Sequence, residues 1–123
     1  MKGRLGWLGF LLVALALAPP ARAVYETVVI ERPFHARSLA GVVLDPSGAP
    51  IPAATVEDRD PKTKQVLATA TTDANGRFRF PRAKLGSVHT LYVLARGFDP
   101  LQVTVKIRLV ARGGLKLRLR IGG

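Results

Sequence analysis

Leu101-Gln102-Val103-Thr104-Val105-Lys106-Ile107-Arg108-Leu109 alternates apolar and polar side chains without a break, and the pattern returns in Leu115-Lys116-Leu117-Arg118-Leu119-Arg120-Ile121. An extended chain sends successive side chains to opposite faces, so both stretches read as strands with one buried and one wet face. The first would bury Leu101, Val103, Val105, Ile107 and Leu109; the second would bury Leu115, Leu117, Leu119 and Ile121. Between them lies Arg112-Gly113-Gly114, a natural hairpin turn. A hairpin there pairs Ala111 with Leu115. It sets Arg108 opposite Arg118 and Lys106 opposite Arg120 on the outward face, where Lys116 also points.

Working back toward the N-terminus, the chain continues as short strands between rigid corners. Val88 to Ala95 is an apolar run suited to a central strand, followed by the turn Gly97-Phe98-Asp99-Pro100. Arg77-Phe78-Arg79-Phe80 alternates with Phe inward, and Asp73-Ala74-Asn75-Gly76 before it is the strongest hairpin signal in the chain. Gln65 to Thr72, Ala53 to Glu57 and Leu39 to Leu44 read as further strands, and Asp45-Pro46-Ser47-Gly48 as a turn. Ala49-Pro50-Ile51-Pro52 fits only an extended edge segment. Asp58 to Lys64 reads as a charged, solvated loop. Seven strands run from Leu39 onward. An eighth, Tyr25 to Glu31, is expected to end at Arg32-Pro33. No stretch has helical apolar spacing with caps, so the class is an all-β sandwich.

The first residues have a different character. Met1-Lys2-Gly3-Arg4, an uncharged run from Leu5 to Leu17, and Pro19-Pro20-Ala21-Arg22-Ala23 make a secretory signal peptide with cleavage expected after Ala23. The chain then divides into 1–23, a signal peptide; 24–37, a leading segment with the extra strand; and 38–123, the sandwich domain. Export to the periplasm or outside the cell follows, with no membrane-spanning segment left after cleavage. The net charge is +11, with 19 Lys and Arg against 8 Asp and Glu. Loss of Lys2, Arg4 and Arg22 leaves a mature charge of +8. Cysteine is absent, which excludes disulfides and thiolate chemistry, so an exported domain of this kind is held by its core alone.

Gly41-Val42-Val43-Leu44-Asp45 with Gly48-Ala49-Pro50-Ile51 and Ala54-Thr55-Val56 resembles the opening of carboxypeptidase regulatory-like domains. Thr72-Asp73-Ala74-Asn75-Gly76-Arg77-Phe78-Arg79-Phe80 is similar to their central hairpin, and Ala95-Arg96-Gly97-Phe98 to the turn that follows. The resemblance runs from Ser38 to Ile121. It implies a seven-stranded antiparallel sandwich of prealbumin-like, carbohydrate-binding-like type, used as an accessory module. Two departures stand out: the closing strands are unusually basic, and Lys84-Leu85-Gly86-Ser87 only loosely follows the family's entry to the next strand. Transthyretin-like hydrolases carry His and Arg motifs and a C-terminal tail that this chain lacks.

The residues point to no catalytic set, cofactor or metal site. His35 and His89 have no second ligand at zinc spacing and read as solvent-facing or edge residues. Ser38, Ser47 and Ser87 lie in turns or strand starts, outside any nucleophile-elbow sequence. Glu57, Asp58 and Asp60 are interleaved with Arg59, Lys62 and Lys64 and lack the glycine of a calcium loop. Exposed aromatic platforms for neutral sugars or nucleic acid are missing from the basic strands. What remains is the outward set Lys106, Arg108, Lys116, Arg118 and Arg120, expected to engage an anionic glycan, lipid head group or protein of the envelope. Two other readings stand beside it: an assembly protein pairing through the edge strand Tyr25 to Glu31, and a small transthyretin-like hydrolase.

Overall fold

A computed structural model describes residues 26–81, 83–111 and 114–122. The expected signal peptide and its cleavage site lie outside the described residues. Eight strands follow one another: β1 (Val28–Ala36), β2 (Leu39–Leu44), β3 (Thr55–Arg59), β4 (Val66–Thr71), β5 (Arg77–Phe80), β6 (Val88–Leu94), β7 (Leu101–Ile107) and β8 (Leu115–Arg118). They form a five-stranded sheet, β1-β7-β6-β3-β4, and a three-stranded sheet, β5-β2-β8. No helix stands among the described residues.

The alternation does its predicted work where it matters. Val103 and Val105 on β7 and Leu115, Leu117 and Leu119 on and after β8 are buried, and they meet Leu39 and Val43 of β2, Val56 of β3, Phe78 and Phe80 of β5, and Leu91 and Val93 of β6 in one core. Each large aliphatic side chain so enclosed contributes about 1.5–3 kcal/mol. The ring pair Phe78–Phe80 packs edge to face at 6.2 Å.

Five expectations are corrected. The sandwich is mixed, not wholly antiparallel: β1 runs parallel to β7, and β2 parallel to β8. The leading strand continues through Pro33 to Ala36 and absorbs the proline in a register shift between Ile30 and Phe34, as an edge strand can. The Asp73–Gly76 turn carries the chain from β4 in the large sheet to β5 in the small one, so it is a corner between layers and not a ladder hairpin. Likewise β7 and β8 lie in different sheets. Leu109, beyond the β7 ladder, is 70% exposed, and Ile121, beyond the β8 ladder, is 68% exposed.

Two close approaches fix the small sheet. A Cβ on Gly41 would lie 2.5 Å from the carbonyl oxygen of Leu115 and 2.6 Å from its Cβ, so β2 and β8 meet at a seam that only glycine allows. Gly76, at φ 72°, would place a Cβ 2.7 Å from Val43 O. Its own carbonyl accepts the Val43 amide at 2.8 Å, tying the corner to β2.

Candidate functional site

The parity of β8 turns Lys116 and Arg118 outward while Leu115 and Leu117 fill the core. Their neighbour is β2, not β7: Val42 stands beside Lys116 and Leu44 beside Arg118. On its other side β2 pairs with β5, Ala40 beside Arg79 and Val42 beside Arg77. The outer face of the small sheet is therefore a half-buried strip, Ala40, Val42 and Leu44, flanked by exposed Arg77 and Arg79 on one side and exposed Lys116 and Arg118 on the other. None of these three strands contains an Asp or Glu. The groove over this face has a volume of about 690 Å³ and reaches Ser38, Thr71 and Asp73 at its rim.

The expected pairing of Arg108 with Arg118 and Lys106 with Arg120 does not exist. Lys106 lies on β7 between His35 of β1 and Val88 of β6, on the outer face of the large sheet. Arg108 follows it, its amide bonded to Ala36 O at 2.8 Å. Lys106 and Arg108 thus occupy the opposite side of the sandwich from Lys116 and Arg118. Arg120 is engaged elsewhere. Its Nε donates to Asp99 Oδ2 at 2.7 Å, and its carbonyl accepts the Asp99 amide at 2.8 Å. The large sheet's outer face is also more nearly neutral. Arg59 bonds Glu57 and stacks 4.0 Å over the ring of Tyr92, whose hydroxyl meets Thr27 Oγ1 at 3.0 Å.

Charge magnitudes separate the two arrangements. Like charges directly opposite on a ladder cost about 0.2–1 kcal/mol a pair. Arg77 and Lys116 are two strands apart, roughly 10 Å, and at that distance in water repel by about 0.4 kcal/mol. The flanking cations of the small-sheet face therefore repel one another only weakly.

A second cluster is hidden from the sequence. Asp58 is not in a loop. It is an inward residue of β3, and it lies diagonally across from His89 of β6, since Asp58 pairs with Leu91. His89 Nδ1 is 3.0 Å from both Asp58 oxygens, and His89 Nε2 is 2.8 Å from Ser87 Oγ. His89 is consequently neither a solvent-facing nor an edge residue: its side chain is 16% exposed on a central strand. Part of the signal is present in the spacing, since Ser87 and His89 share a face, but Asp58 is distant in sequence.

The order Asp–His–Ser is that of an acyl-transfer triad, yet the surroundings of the serine do not suit that role. The Ser87 Oγ also lies 2.5 Å from Lys84 O, an acceptor that competes with the imidazole for its single proton. The amides of Gly86 and Ser87 are engaged by Ile107 O and Lys84 O, so neither faces a developing oxyanion. The cluster clamps the Lys84–Ser87 turn to β3. Among the described residues no group of three metal-ligating side chains is assembled, and no helix is long and apolar enough to cross a membrane.

The profile of a family described as carboxypeptidase regulatory-like domain matches residues 38–120. No curated protein matches the chain. Among solved structures, a 3-chlorocatechol 1,2-dioxygenase from Rhodococcus opacus 1CP aligns at 13% identity and TM-score 0.38, covering 86% of this chain and 70% of that one.

Proposed function

The chain belongs to the carboxypeptidase regulatory-like domain family, and from that premise we propose that it is a binding module of the cell envelope that takes an anionic partner on the outer face of its small sheet. Domains of this family are non-catalytic, and the engagement of the Gly86 and Ser87 amides agrees with that. The observation that carries the reading is the outer face of β5-β2-β8: four exposed cations, Arg77, Arg79, Lys116 and Arg118, around a shallow apolar strip on strands without a carboxylate. Phosphate, sulfate or carboxylate groups of a glycan, lipid head group or acidic protein supply the matching charge, with guanidinium forks as bidentate donors. Placement in the envelope rests on the basic, apolar and small-residue pattern of residues 1–23.

The test is retention on an immobilised sulfated polysaccharide and on vesicles containing anionic phospholipid, eluted with salt. Replacing Arg77, Arg79, Lys116 and Arg118 with Ser removes retention while leaving the fold intact. Replacing Lys106 and Arg108 with Ser changes it little. Equal losses from the two sets would reduce the effect to net charge and reject this face as the site.

A further inference from the structure

The sandwich has four sheet edges, β1, β4, β5 and β8, and three are visibly guarded. β1 carries Glu31, Arg32 and Pro33 and a register shift. β5 and β8 are four residues each, with Arg77, Arg79, Lys116 and Arg118 along them. Charges, proline, irregular pairing and shortness are the means by which proteins keep an edge from pairing.

β4 differs. Val66-Leu67-Ala68-Thr69-Ala70-Thr71 contains neither a charge nor a proline. Residues 66–69 are exposed whichever face they belong to, with Val66 at 42% and Leu67 at 59%. Its one irregularity, opposite Asp58 and Arg59, falls at its N-terminal end. Thr72 directs both backbone groups at the β3 side, its amide to Ala54 O at 2.9 Å and its carbonyl to the Ala53 amide at 3.0 Å. Backbone groups alternate along a strand, so those of Thr71 and Thr69 point to the open edge.

We propose that β4 is a pairing edge and that its occupant is β4 of a second copy, antiparallel, joining two large sheets into one. This goes beyond the basic-face reading and does not depend on it. The choice of a second copy rests on charge complementarity. Exposed Lys62 and Lys64 precede the strand, and exposed Asp73 follows it. An antiparallel two-fold pairing near Thr69 sets the lysine end of each strand against the aspartate end of the other. Within the strand it opposes Ala to Ala and Leu to Thr, so no like charges meet. A parallel pairing would stack lysine on lysine.

Sedimentation velocity of the purified chain over a concentration series tests this. The expected result is a reversible dimer whose fraction rises with concentration. Thr69→Lys places two cations together at the axis, and Thr69→Pro removes an outward N–H. Each lowers the sedimentation coefficient to that of the monomer. Lys62→Glu, which leaves the strand untouched, reduces the dimer fraction at fixed concentration. A chain that stays monomeric at every concentration, or a dimer indifferent to Thr69→Lys, overturns the proposal. Because Thr69 is exposed, an unchanged melting temperature for Thr69→Lys separates lost pairing from lost folding.

Discussion

His89 Nδ1 stands 3.0 Å from each carboxylate oxygen of Asp58, across 31 residues of chain, and this contact ties the turn before β6 to the middle of the large sheet. Asp58 is 6% exposed, so its carboxylate depends on the imidazole for much of what water would have supplied.

Removing one member of that contact leaves the other underserved. Asp58→Ala is expected to lower stability by about 1.5–3 kcal/mol, the range for hydrogen bonds to a charged group, read from urea denaturation. Ser87→Ala, which removes a hydroxyl bonded to Lys84 O and His89, is expected to cost about 1 kcal/mol. Ser87 is also expected to resist labelling by a fluorophosphonate probe. Covalent labelling there would revive the hydrolase reading.

Two neighbouring arginines on the closing segment are expected to behave in opposite ways. Arg120 holds Asp99, whose side chain is 7% exposed. Arg120→Ala is expected to destabilise by about 1.5–3 kcal/mol, the range for hydrogen bonds to a charged group. Arg118→Ala is expected to leave the melting temperature within about a degree, since exposed side chains away from such contacts shift stability by less than about 0.5 kcal/mol. Thermal denaturation of the two variants in parallel decides the point.

At the β2–β8 seam, Gly41→Ala forces a methyl group into the Leu115 backbone at 2.5 Å. The obstacle is main chain and cannot rotate away, so a loss of about 3 kcal/mol is expected, at the upper end for overpacking. Amide exchange should accelerate in β8 more than in β6 if the small sheet opens first. Uniform acceleration would show the two sheets failing as one.

Acid should loosen one turn by a calculable sign. The Ser47 hydroxyl, the Ala49 amide and the Ser47 amide all donate to Asp45 Oδ1, and they hold its carboxyl below the ordinary 3.8. A carboxyl whose folded-state value is depressed contributes stability that is complete above its unfolded value and disappears as pH falls through the folded one. Amide exchange at Ser47 and Ala49 is therefore expected to be steady above about pH 5 and to rise below about pH 3.8, after correction for intrinsic rates. Asp45→Asn should abolish that pH response.

Much of this architecture is legible in the residues because burial leaves a two-residue trace. Leu115, Leu117 and Leu119 announce an inward row whatever lies beside them, and the turns at Asp45–Gly48 and Asp73–Gly76 announce where the chain reverses. Periodicity names a face and is silent about the neighbour. Arg112-Gly113-Gly114 suits a hairpin and a crossing between layers equally well, so the partner of β8 is not readable there, and the expected facing of Arg108 and Arg118 falls with it. The basic face moves accordingly: Lys116 and Arg118 remain, Arg77 and Arg79 join them through β2, and Lys106 and Arg108 fall on the other side. Leu109 and Ile121 continue the alternation past the ends of the two ladders and are exposed, whereas Leu119 beyond β8 is still buried. Asp58 is hidden for a related reason. Charge usually means solvent, and only the fold brings His89 to it.

β8 closes the small sheet by lying parallel to β2, with Val43 beside Leu117. Nearly the whole domain is made between those two strands, so one of the small sheet's three strands arrives last during synthesis. Until Leu115, Leu117 and Leu119 emerge, Leu39 and Val43 have no roof on that flank, and the nascent chain holds an incomplete sandwich. Such long-range closure slows folding relative to local pairing. It also gives the polypeptide an interval in which it is still threadable, a kinetic property written here in strand order alone.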